Sequence, residues 1–203
     1  MRTGTAAEPI LLGIFVGGRS TRMGGRAKGL LSAPDTGEPL VERLVSLGRR
    51  LGLSPVLVGA AGPYEGLALG VPRLDDSPAG IGPLGGLGAL LEHAGPGRVV
   101  AIACDMPGVS AEALRQLLAH APEVAVVAAR RGPDAPWEPL FARYDAARVR
   151  PVLAGAVADG VRSFQRLFAQ LEVEALPLEP SVEEALVDWD TPEDVKGAPD
   201  RGR

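Results

Sequence analysis

Two kinds of hydrophobic pattern alternate along the chain. Short runs of consecutive apolar residues, typical of strands buried on both faces, occupy residues 10–16, 55–60, 99–103 and 124–129. Between them, apolar residues recur every three to four positions, which predicts amphipathic helices at residues 39–52, at residues 84–93 and after Ser110. Buried strands that alternate with such helices form a mostly parallel sheet with helices on both faces. The pattern therefore predicts a single, three-layer, doubly wound α/β domain.

The second half of the chain follows the same pattern less regularly. We predict an edge strand at residues 137–144, helices at residues 146–158 and 162–170, and a last strand at residues 173–178. The 203 residues are enough for one ordinary domain, which we expect to span residues 9–196. The small and polar residues at the two ends predict disordered termini at residues 1–8 and 197–203.

Composition and charge exclude several classes of protein. The 21 basic and 25 acidic residues give a net charge of -4, so no overall basic field would attract nucleic acid. The longest apolar run, residues 10–16, is far shorter than the ~20 residues that cross a membrane, and we expect no membrane contact. Cys104 is the only cysteine, which excludes an internal disulfide and favours a cytoplasmic location. We expect Cys104 to be a small buried hydrophobic residue.

A glycine-rich, basic loop follows the first predicted strand. Its candidate ligand residues are a pair of glycines, a serine and four cations: Gly17, Gly18, Arg19, Ser20, Arg22, Arg26 and Lys28. Glycines let backbone N–H groups approach an anion closely, and cations can bind several phosphate oxygens. The loop matches neither the dinucleotide-binding consensus nor the P-loop consensus. A solvated basic turn is the alternative, but four cations directly after a buried strand favour a polyphosphate site.

Asp105 directly follows the predicted strand at residues 99–103. The carboxyl ends of parallel strands share one edge of the sheet, so this carboxylate is expected near the basic loop. Mg²⁺ commonly takes one or two protein carboxylates and completes its shell with water and phosphate oxygens. Asp105 is therefore the first candidate for a magnesium ligand. Capping of the next helix, or orientation of a turn, is an equally good explanation.

Two further segments contain candidate ligand residues. Asp76 precedes a glycine-rich turn that contains Gly82 and leads into a helix, where backbone N–H groups suit a nucleotide. Capping of a turn and tight packing of the helix on the sheet are the alternatives. Near the C-terminus, Asp190 lies two positions after another aspartate in an apparent strand and could complete a metal site with Asp105. Because a proline and a glutamate follow it closely, Asp190 is equally typical of the start of a helix.

The loop after the first strand resembles that of the MobA-like nucleotidyltransferases. Residues 16–24 are V-G-G-R-S-T-R-M-G and precede Lys28, close to the family pattern L-A-G-G-x-S-x-R-M-G-x-x-K. Several later segments agree with the family in order and approximate spacing, namely residues 76–77, 82–86, 104–107, 139–142 and 190–194. The resemblance covers residues 10–195. Residues 138–144 and 162–164 make it strongest to the molybdenum cofactor guanylyltransferases.

This resemblance implies a Rossmann-like nucleotidyltransferase fold and transfer of GMP from GTP to Mo-molybdopterin, which yields the guanine dinucleotide cofactor and diphosphate. The matching positions imply nucleotide binding by Val16, Gly17, Gly18, Arg19, Ser20, Lys28, Asp76, Gly82 and Asp105. Arg22 and Lys28 would act on the triphosphate, and Asp105 would bind Mg²⁺. Asp190 would face the metal or the cofactor. Proteins that synthesise or insert the molybdenum cofactor are the expected partners.

The chain departs from the family pattern at both ends. Val16 stands where the family usually has alanine, and Asp188 and Asp190 stand where many guanylyltransferases have asparagine. A molybdopterin cytidylyltransferase, or another small nucleotidyltransferase, is therefore one alternative, although relatives that use CTP more often have L-A-A-G in the first loop. A non-catalytic nucleotide-binding regulatory module is the second alternative. The presence of Lys28 and Asp105 argues against it.

Overall fold

Strands and helices alternate through most of the chain, as the hydrophobic pattern predicts. The structure is a computed structural model that describes residues 9–17 and 27–189. Its strands are β1 (Leu11–Phe15), β2 (Ser54–Val58), β3 (Arg73–Leu74), β4 (Arg98–Ala103), β5 (Val126–Arg130), β6 (Trp137–Asp145) and β7 (Val173–Ala175). Its α-helices are α1 (Leu40–Arg50), α2 (Pro83–His93), α3 (Ala111–Ala119), α4 (Ala146–Ala158), α5 (Phe164–Phe168) and α6 (Pro180–Ala185). Short 3-10 turns lie at Lys28–Leu30 and Gly62–Tyr64.

The described strands form one seven-stranded sheet in the order β3-β2-β1-β4-β6-β5-β7. The pairs β2–β3, β1–β2, β1–β4 and β5–β7 are parallel, whereas β6 runs antiparallel to both of its neighbours. The first four strands therefore end at one edge of the sheet, with Phe15 paired to both Val58 and Ala103. This arrangement confirms the predicted α/β fold with a mostly parallel sheet.

Helices cover both faces of the sheet and bury two separate hydrophobic clusters. On one face, α1, α3 and α6 pack against side chains that include Leu12, Leu57 and Ile102. On the other face, α2, α4 and α5 pack against side chains that include Val56 and Val99. Alternate residues of each strand thus serve opposite faces, which is why β1, β2, β4 and β5 are mainly apolar. The predicted three layers are present.

β6 is an interior strand, so the prediction of an edge strand at residues 137–144 is wrong. Its polar residues and its proline misled that prediction, but the structure accommodates both. The guanidinium of Arg143 donates hydrogen bonds to the carbonyls of Leu118 and Ala121, at 3.3 and 2.6 Å. Pro139 lies where the register with β5 shifts, so its missing N–H costs no hydrogen bond of that ladder.

Most other predicted elements are present with small shifts of their bounds. The helix predicted at residues 146–158 matches α4, whereas α5 and β7 are shorter than predicted. The two-residue strand β3 and the helix α6 were not predicted, and residues 187–189 form no strand. The predicted disordered termini, residues 1–8 and 197–203, lie outside the described residues. No described helix has the length and the apolar composition needed to span a bilayer.

Candidate active site at the carboxyl ends of β1 and β4

The segments that follow β1, β2, β3 and β4 meet at one edge of the sheet. The parallel register aligns the last residues of these strands, with Phe15 opposite Val58 and Ala103, and Val58 opposite Leu74. The residues of the candidate site lie within two positions of these strand ends: Val16, Gly17, Gly59, Asp76 and Asp105. The sheet therefore brings together three of the four segments that the sequence singles out.

Lys28 and Asp105 form an ion pair at this edge. The ammonium Nζ of Lys28 lies 2.8 Å from Oδ2 of Asp105, and both side chains are 17% exposed. Lys28 begins the 3-10 turn that follows the basic loop, and Asp105 lies two residues beyond the end of β4. A cation and a carboxylate are thus held side by side, and both side chains are partly accessible. Such a pair can offer a positive group to phosphate oxygens and an oxygen ligand to a metal ion.

Gly17 and Gly59 let two loop backbones approach each other closely. A Cβ atom on Gly59 would lie 3.2 Å from the nitrogen and Cα of Gly17, and Gly59 has φ +95°. Val16 is buried in the hydrophobic core and donates a backbone hydrogen bond of 3.0 Å to the carbonyl of Val58. Its larger side chain therefore packs behind the strand. The two loops therefore face each other through the backbone atoms of Gly17 and Gly59.

Asp76 lies beside the start of α2. A Cβ atom on Gly86 would lie 2.9 Å from side-chain atoms of both Phe15 and Val58, so the helix needs a glycine there, and it would lie 3.3 Å from Oδ1 of Asp76. Burial, together with the charge of Asp75, raises the pKa of the Asp76 carboxyl above its usual value. The charged form of this carboxyl is therefore less favourable than that of a free aspartate, and a hydrogen-bond donor of a ligand would stabilise it.

The glycine-rich start of α2 has two different structural causes. Gly82, at the N-cap, has φ +70°, a backbone conformation that favours glycine. Gly85 and Gly88 instead give room to the backbone carbonyls of Pro78 and Ser77, which a Cβ atom would overlap. These two residues pack against the preceding loop, whereas tight packing of the helix on the sheet, one of the explanations considered for the glycine run, applies to Gly86. It does not apply to Gly82, whose Cβ would meet no atom within 4 Å.

The C-terminal segment reaches the same edge of the sheet. The backbone N–H of Trp189 donates to the carbonyl oxygen of Asp105 at 3.0 Å. The Trp189 side chain is buried against Leu31 and Leu40. The chain is thus anchored beside Asp105 one residue before Asp190. Asp190 itself and the loop residues Gly18, Arg19, Ser20, Arg22 and Arg26 lie outside the described residues.

Sequence reasoning did not identify Tyr64, which is buried beneath the ion pair. Its hydroxyl accepts a hydrogen bond of 3.2 Å from the backbone N–H of Gly29 and lies 3.9 Å from Sγ of Cys104. Burial, with Asp105 next in importance, raises the pKa of the Cys104 thiol to about 12, and burial also raises the pKa of Tyr64. Both groups are therefore neutral. The expectation that Cys104 is a small buried residue is confirmed.

The described residues contain no group of three or more histidine, cysteine, aspartate or glutamate side chains that could hold a metal ion. Any divalent ion bound by Asp105 would therefore need further ligands from a substrate, from water or from residues beyond the described ones. Magnesium commonly binds in this way, because it retains water and takes phosphate oxygens.

Comparisons with known proteins agree with this geometry. Residues 13–175 match the model of the MobA-like NTP transferase domain. A molybdenum cofactor guanylyltransferase of Pseudomonas putida is 36% identical over 179 residues, which cover 84% of this chain and 88% of that protein. A probable molybdenum cofactor guanylyltransferase of Pelotomaculum thermopropionicum is 32% identical over 68% of this chain and 65% of its own length.

Solved structures show the same fold. Molybdopterin-guanine dinucleotide biosynthesis protein A from Archaeoglobus fulgidus superposes with a TM-score of 0.72, at 24% identity, over 92% of this chain and 95% of that one. The 2-C-methyl-D-erythritol 4-phosphate cytidylyltransferase of Thermus thermophilus has a TM-score of 0.67, at 18% identity, over 93% and 96%. The expected resemblance and the nucleotidyltransferase fold are confirmed. The chain belongs to the MobA-like NTP transferase domain family and is a nucleotidyltransferase.

Proposed function

We propose that this protein transfers the guanylyl group of GTP to Mo-molybdopterin, forming the guanine dinucleotide cofactor and diphosphate. The observation that supports this most directly is the Lys28–Asp105 ion pair at the carboxyl ends of β1 and β4, which combines a phosphate-binding cation with a metal-binding carboxylate. The choice of GTP and of the pterin acceptor is supported by relatives named molybdenum cofactor guanylyltransferase that match most of the chain.

The reaction needs no protein nucleophile. An oxygen of the pterin's terminal phosphate attacks the α-phosphorus of GTP, and the bond from that phosphorus to the oxygen that bridges to the β-phosphate breaks. Diphosphate leaves with the bridging oxygen, and charge builds up on it during the transfer. Lys28, with Arg22, binds the phosphates and offsets this charge. Catalysis is then mainly positioning and electrostatic stabilisation, which needs no acid or base with a shifted pKa.

Mg²⁺ fits the site as an ion held jointly by protein and substrate. Asp105 supplies a hard carboxylate oxygen that is partly exposed, and Asp190 is the proposed second ligand. Magnesium would neutralise phosphate charge when bound. Lys28 is already beside the same carboxylate, so binding of a metal-bound nucleotide would let Lys28 bind the phosphates and Asp105 bind the metal. The site would therefore bind Mg²⁺ mainly together with the nucleotide.

The nucleotide is proposed to lie across the ends of β1 and β2. Gly17 is lined by backbone, which leaves space for a ligand to contact N–H groups, and Gly18, Arg19 and Ser20 continue the same loop. Asp76 and Gly82 are on the side of α2, where a carboxyl of raised pKa suits the donor groups of a guanine base or a ribose. The side chain of Val16, the residue before Gly17, packs into the hydrophobic core.

The cytoplasm is the proposed location, and proteins that synthesise or insert the molybdenum cofactor are the proposed partners. The single cysteine supports a reducing compartment, because it is buried beneath the candidate site and is not used in a disulfide. The proposed reaction also supports such partners, because Mo-molybdopterin must be supplied to the enzyme and the guanine dinucleotide cofactor must be passed on.

One assay tests the proposal. The purified protein is incubated with Mg²⁺, Mo-molybdopterin and each of the four nucleoside triphosphates in turn, and diphosphate and the dinucleotide cofactor are measured. We expect product with GTP. A preference for CTP would instead identify a molybdopterin cytidylyltransferase. Binding of GTP without turnover, in the presence of an active acceptor preparation, would identify a non-catalytic regulatory module.

A further inference from the structure

A buried hydroxyl connects the two chain segments that present the ion pair. Oη of Tyr64 accepts a hydrogen bond from the N–H of Gly29, the residue that follows Lys28. The same oxygen lies 3.9 Å from Sγ of Cys104, the residue that precedes Asp105. Because Oη accepts from Gly29, its own hydrogen is available to the thiol. One side chain therefore bonds to the neighbour of each charged residue.

Tyr64 is firmly held in its own turn. Its side chain is 1% exposed, its N–H donates to the carbonyl of Ala61 at 2.9 Å, and its carbonyl accepts from Arg73 at 3.2 Å. The phenol ring lies against Gly29 so closely that a Cβ atom there would be 2.9 Å from the ring edge and from Oη. The 3-10 turn of Lys28 can thus lie on the tyrosine only because its second residue is glycine.

Packing alone would not require the hydroxyl. The ring is part of the hydrophobic core on this face, and phenylalanine would fill the same space. A buried hydroxyl is costly unless it is hydrogen-bonded, and here its two contacts come from residues 35 and 40 positions away. The hydroxyl therefore fixes the height of the Lys28 turn above the end of β4.

Anchoring of the Lys28 turn affects the position of the ammonium, because the lysine side chain is long. Its ammonium is at the end of a flexible stem, and the stem begins at the first residue of a short 3-10 turn. Anchoring the N–H of Gly29 removes freedom at the base of that stem, while the thiol contact fixes the same anchor relative to Asp105. The 2.8 Å pair is thus supported from below as well as by its own attraction.

We propose that Tyr64 is a positioning residue, whose hydroxyl holds the Lys28 turn and the Asp105 segment at the separation needed to receive a metal-bound triphosphate. The proposal rests on the proposed guanylyl transfer for its catalytic consequence. Its structural consequence, a Lys28 turn tied down through Gly29, is independent of the substrate. The two consequences can therefore be measured separately.

The test compares Tyr64→Phe with Tyr144→Phe. Tyr144 is a matched control because it is also fully buried, and its hydroxyl donates to the carbonyl of Pro139 at 2.6 Å among the residues of the opposite hydrophobic cluster. Each variant loses one buried hydroxyl without a change in ring packing. The measurements are kcat and KM for GTP with saturating Mg²⁺ and acceptor, the melting temperature, and amide hydrogen exchange of residues 28–31.

For Tyr64→Phe we expect a fall in kcat of about 10-fold to 100-fold with a smaller change in KM, because misplaced groups lose transition-state stabilisation. Tyr144→Phe should keep kcat within about twofold, whatever its melting temperature. Exchange of the Gly29 amide should rise about tenfold in Tyr64→Phe alone. Cys104→Ser, which keeps a hydrogen-bonding partner for Oη, should retain most of the activity.

Equal kcat in the two phenylalanine variants would overturn the catalytic part of the proposal, and unchanged exchange at residues 28–31 in Tyr64→Phe would overturn all of it. The exchange measurement does not use a substrate. If the wild-type protein fails to transfer a guanylyl group, the function proposed above falls, yet exchange still decides whether Tyr64 holds the Lys28 turn.

Discussion

The ammonium of Lys28 lies 2.8 Å from the carboxylate of Asp105, although 77 positions separate the two residues in the chain. The parallel pairing of β1 with β4 produces this contact, because it places the ends of both strands at one edge of the sheet. Without a ligand, each charge partly neutralises the other. When a metal-bound triphosphate binds, the ammonium can bind the phosphates and the carboxylate can bind the metal.

Replacement of the lysine tests the first half of this exchange. Lys28→Ala should lower kcat/KM for GTP by about 100-fold to 1000-fold, because a cation aimed at the phosphates is lost. Binding of the pterin acceptor should change much less. Steady-state kinetics with each substrate varied in turn would measure both effects, and equal losses for the two substrates would contradict the assignment.

Arg148→Gln is the control for the loss of a cation. Its guanidinium, on α4, pairs with Glu172 at 2.7 Å and also donates to the carbonyl of Glu123, and both contacts are exposed. We expect activity within about twofold of the wild type and little change in stability, since exposed pairs contribute little. A comparable loss of activity in Arg148→Gln would mean that Lys28 acts through general charge and not through its position.

Replacement of the carboxylate tests the second half. Asp105→Asn keeps the shape of the side chain but removes the charge that binds a divalent ion, so kcat should fall at least about 100-fold and the activation by Mg²⁺ should disappear. A titration of activity against Mg²⁺ concentration is the measurement. Normal activation by Mg²⁺ in this variant would refute the metal role.

Asp145→Asn is the matched control for this variant. In the antiparallel register of β4 and β6, Asp145 lies opposite Arg98, the first residue of β4. It is therefore at the end of β4 that is opposite to Asp105. Its carboxyl accepts the N–H of Arg148 at the start of α4, and asparagine can make the same cap. The Mg²⁺ titration of this variant should match the wild type.

The hydrophobic pattern and general rules for parallel sheets were enough to predict which segments would meet, because strand order and strand direction decide it. They were not enough for β6, because Arg143 and Pro139 are typical of an edge strand, and the carbonyls that accept from Arg143 lie 25 and 22 positions away in the chain. Tyr64 was missed for a similar reason. A tyrosine in a short turn has no repeating pattern, and both of its contacts come from residues far along the chain.

Asp76 should destabilise the protein at neutral pH. Burial and the charge of Asp75 raise its pKa above the usual 3.8, so the folded state holds this proton more tightly than the unfolded state. Stability therefore falls as the pH rises from about 3.8 through the raised pKa. Asp76→Asn should raise the melting temperature by about 1–3 °C near neutral pH, with the gain vanishing at acidic pH. Thermal unfolding across this pH range is the measurement.

The same variant should bind GTP more weakly, because the proposed contact of the carboxyl with the nucleotide is lost. Asp75→Asn is the control, since it removes the neighbouring charge and keeps Asp76. It should give a smaller gain in stability and leave the KM for GTP nearly unchanged. A variant at Asp76 that is less stable than the wild type at neutral pH would show that the carboxylate is stabilising in the folded protein.

The glycines of α2 give a prediction about how the site is supported. Gly88→Ala should cost about 1–3 kcal/mol, because the new Cβ would overlap the backbone carbonyl of Ser77, which cannot rotate away as a side chain can. Gly155→Ala, in α4, should instead gain about 0.5–1 kcal/mol, since nothing lies within 4 Å of its Cβ and alanine favours a helix. Urea unfolding would measure both changes. Because Ser77 follows Asp76, the first variant should also raise the KM for GTP, whereas the second should leave it unchanged, and equal stability of the two variants would refute the close packing.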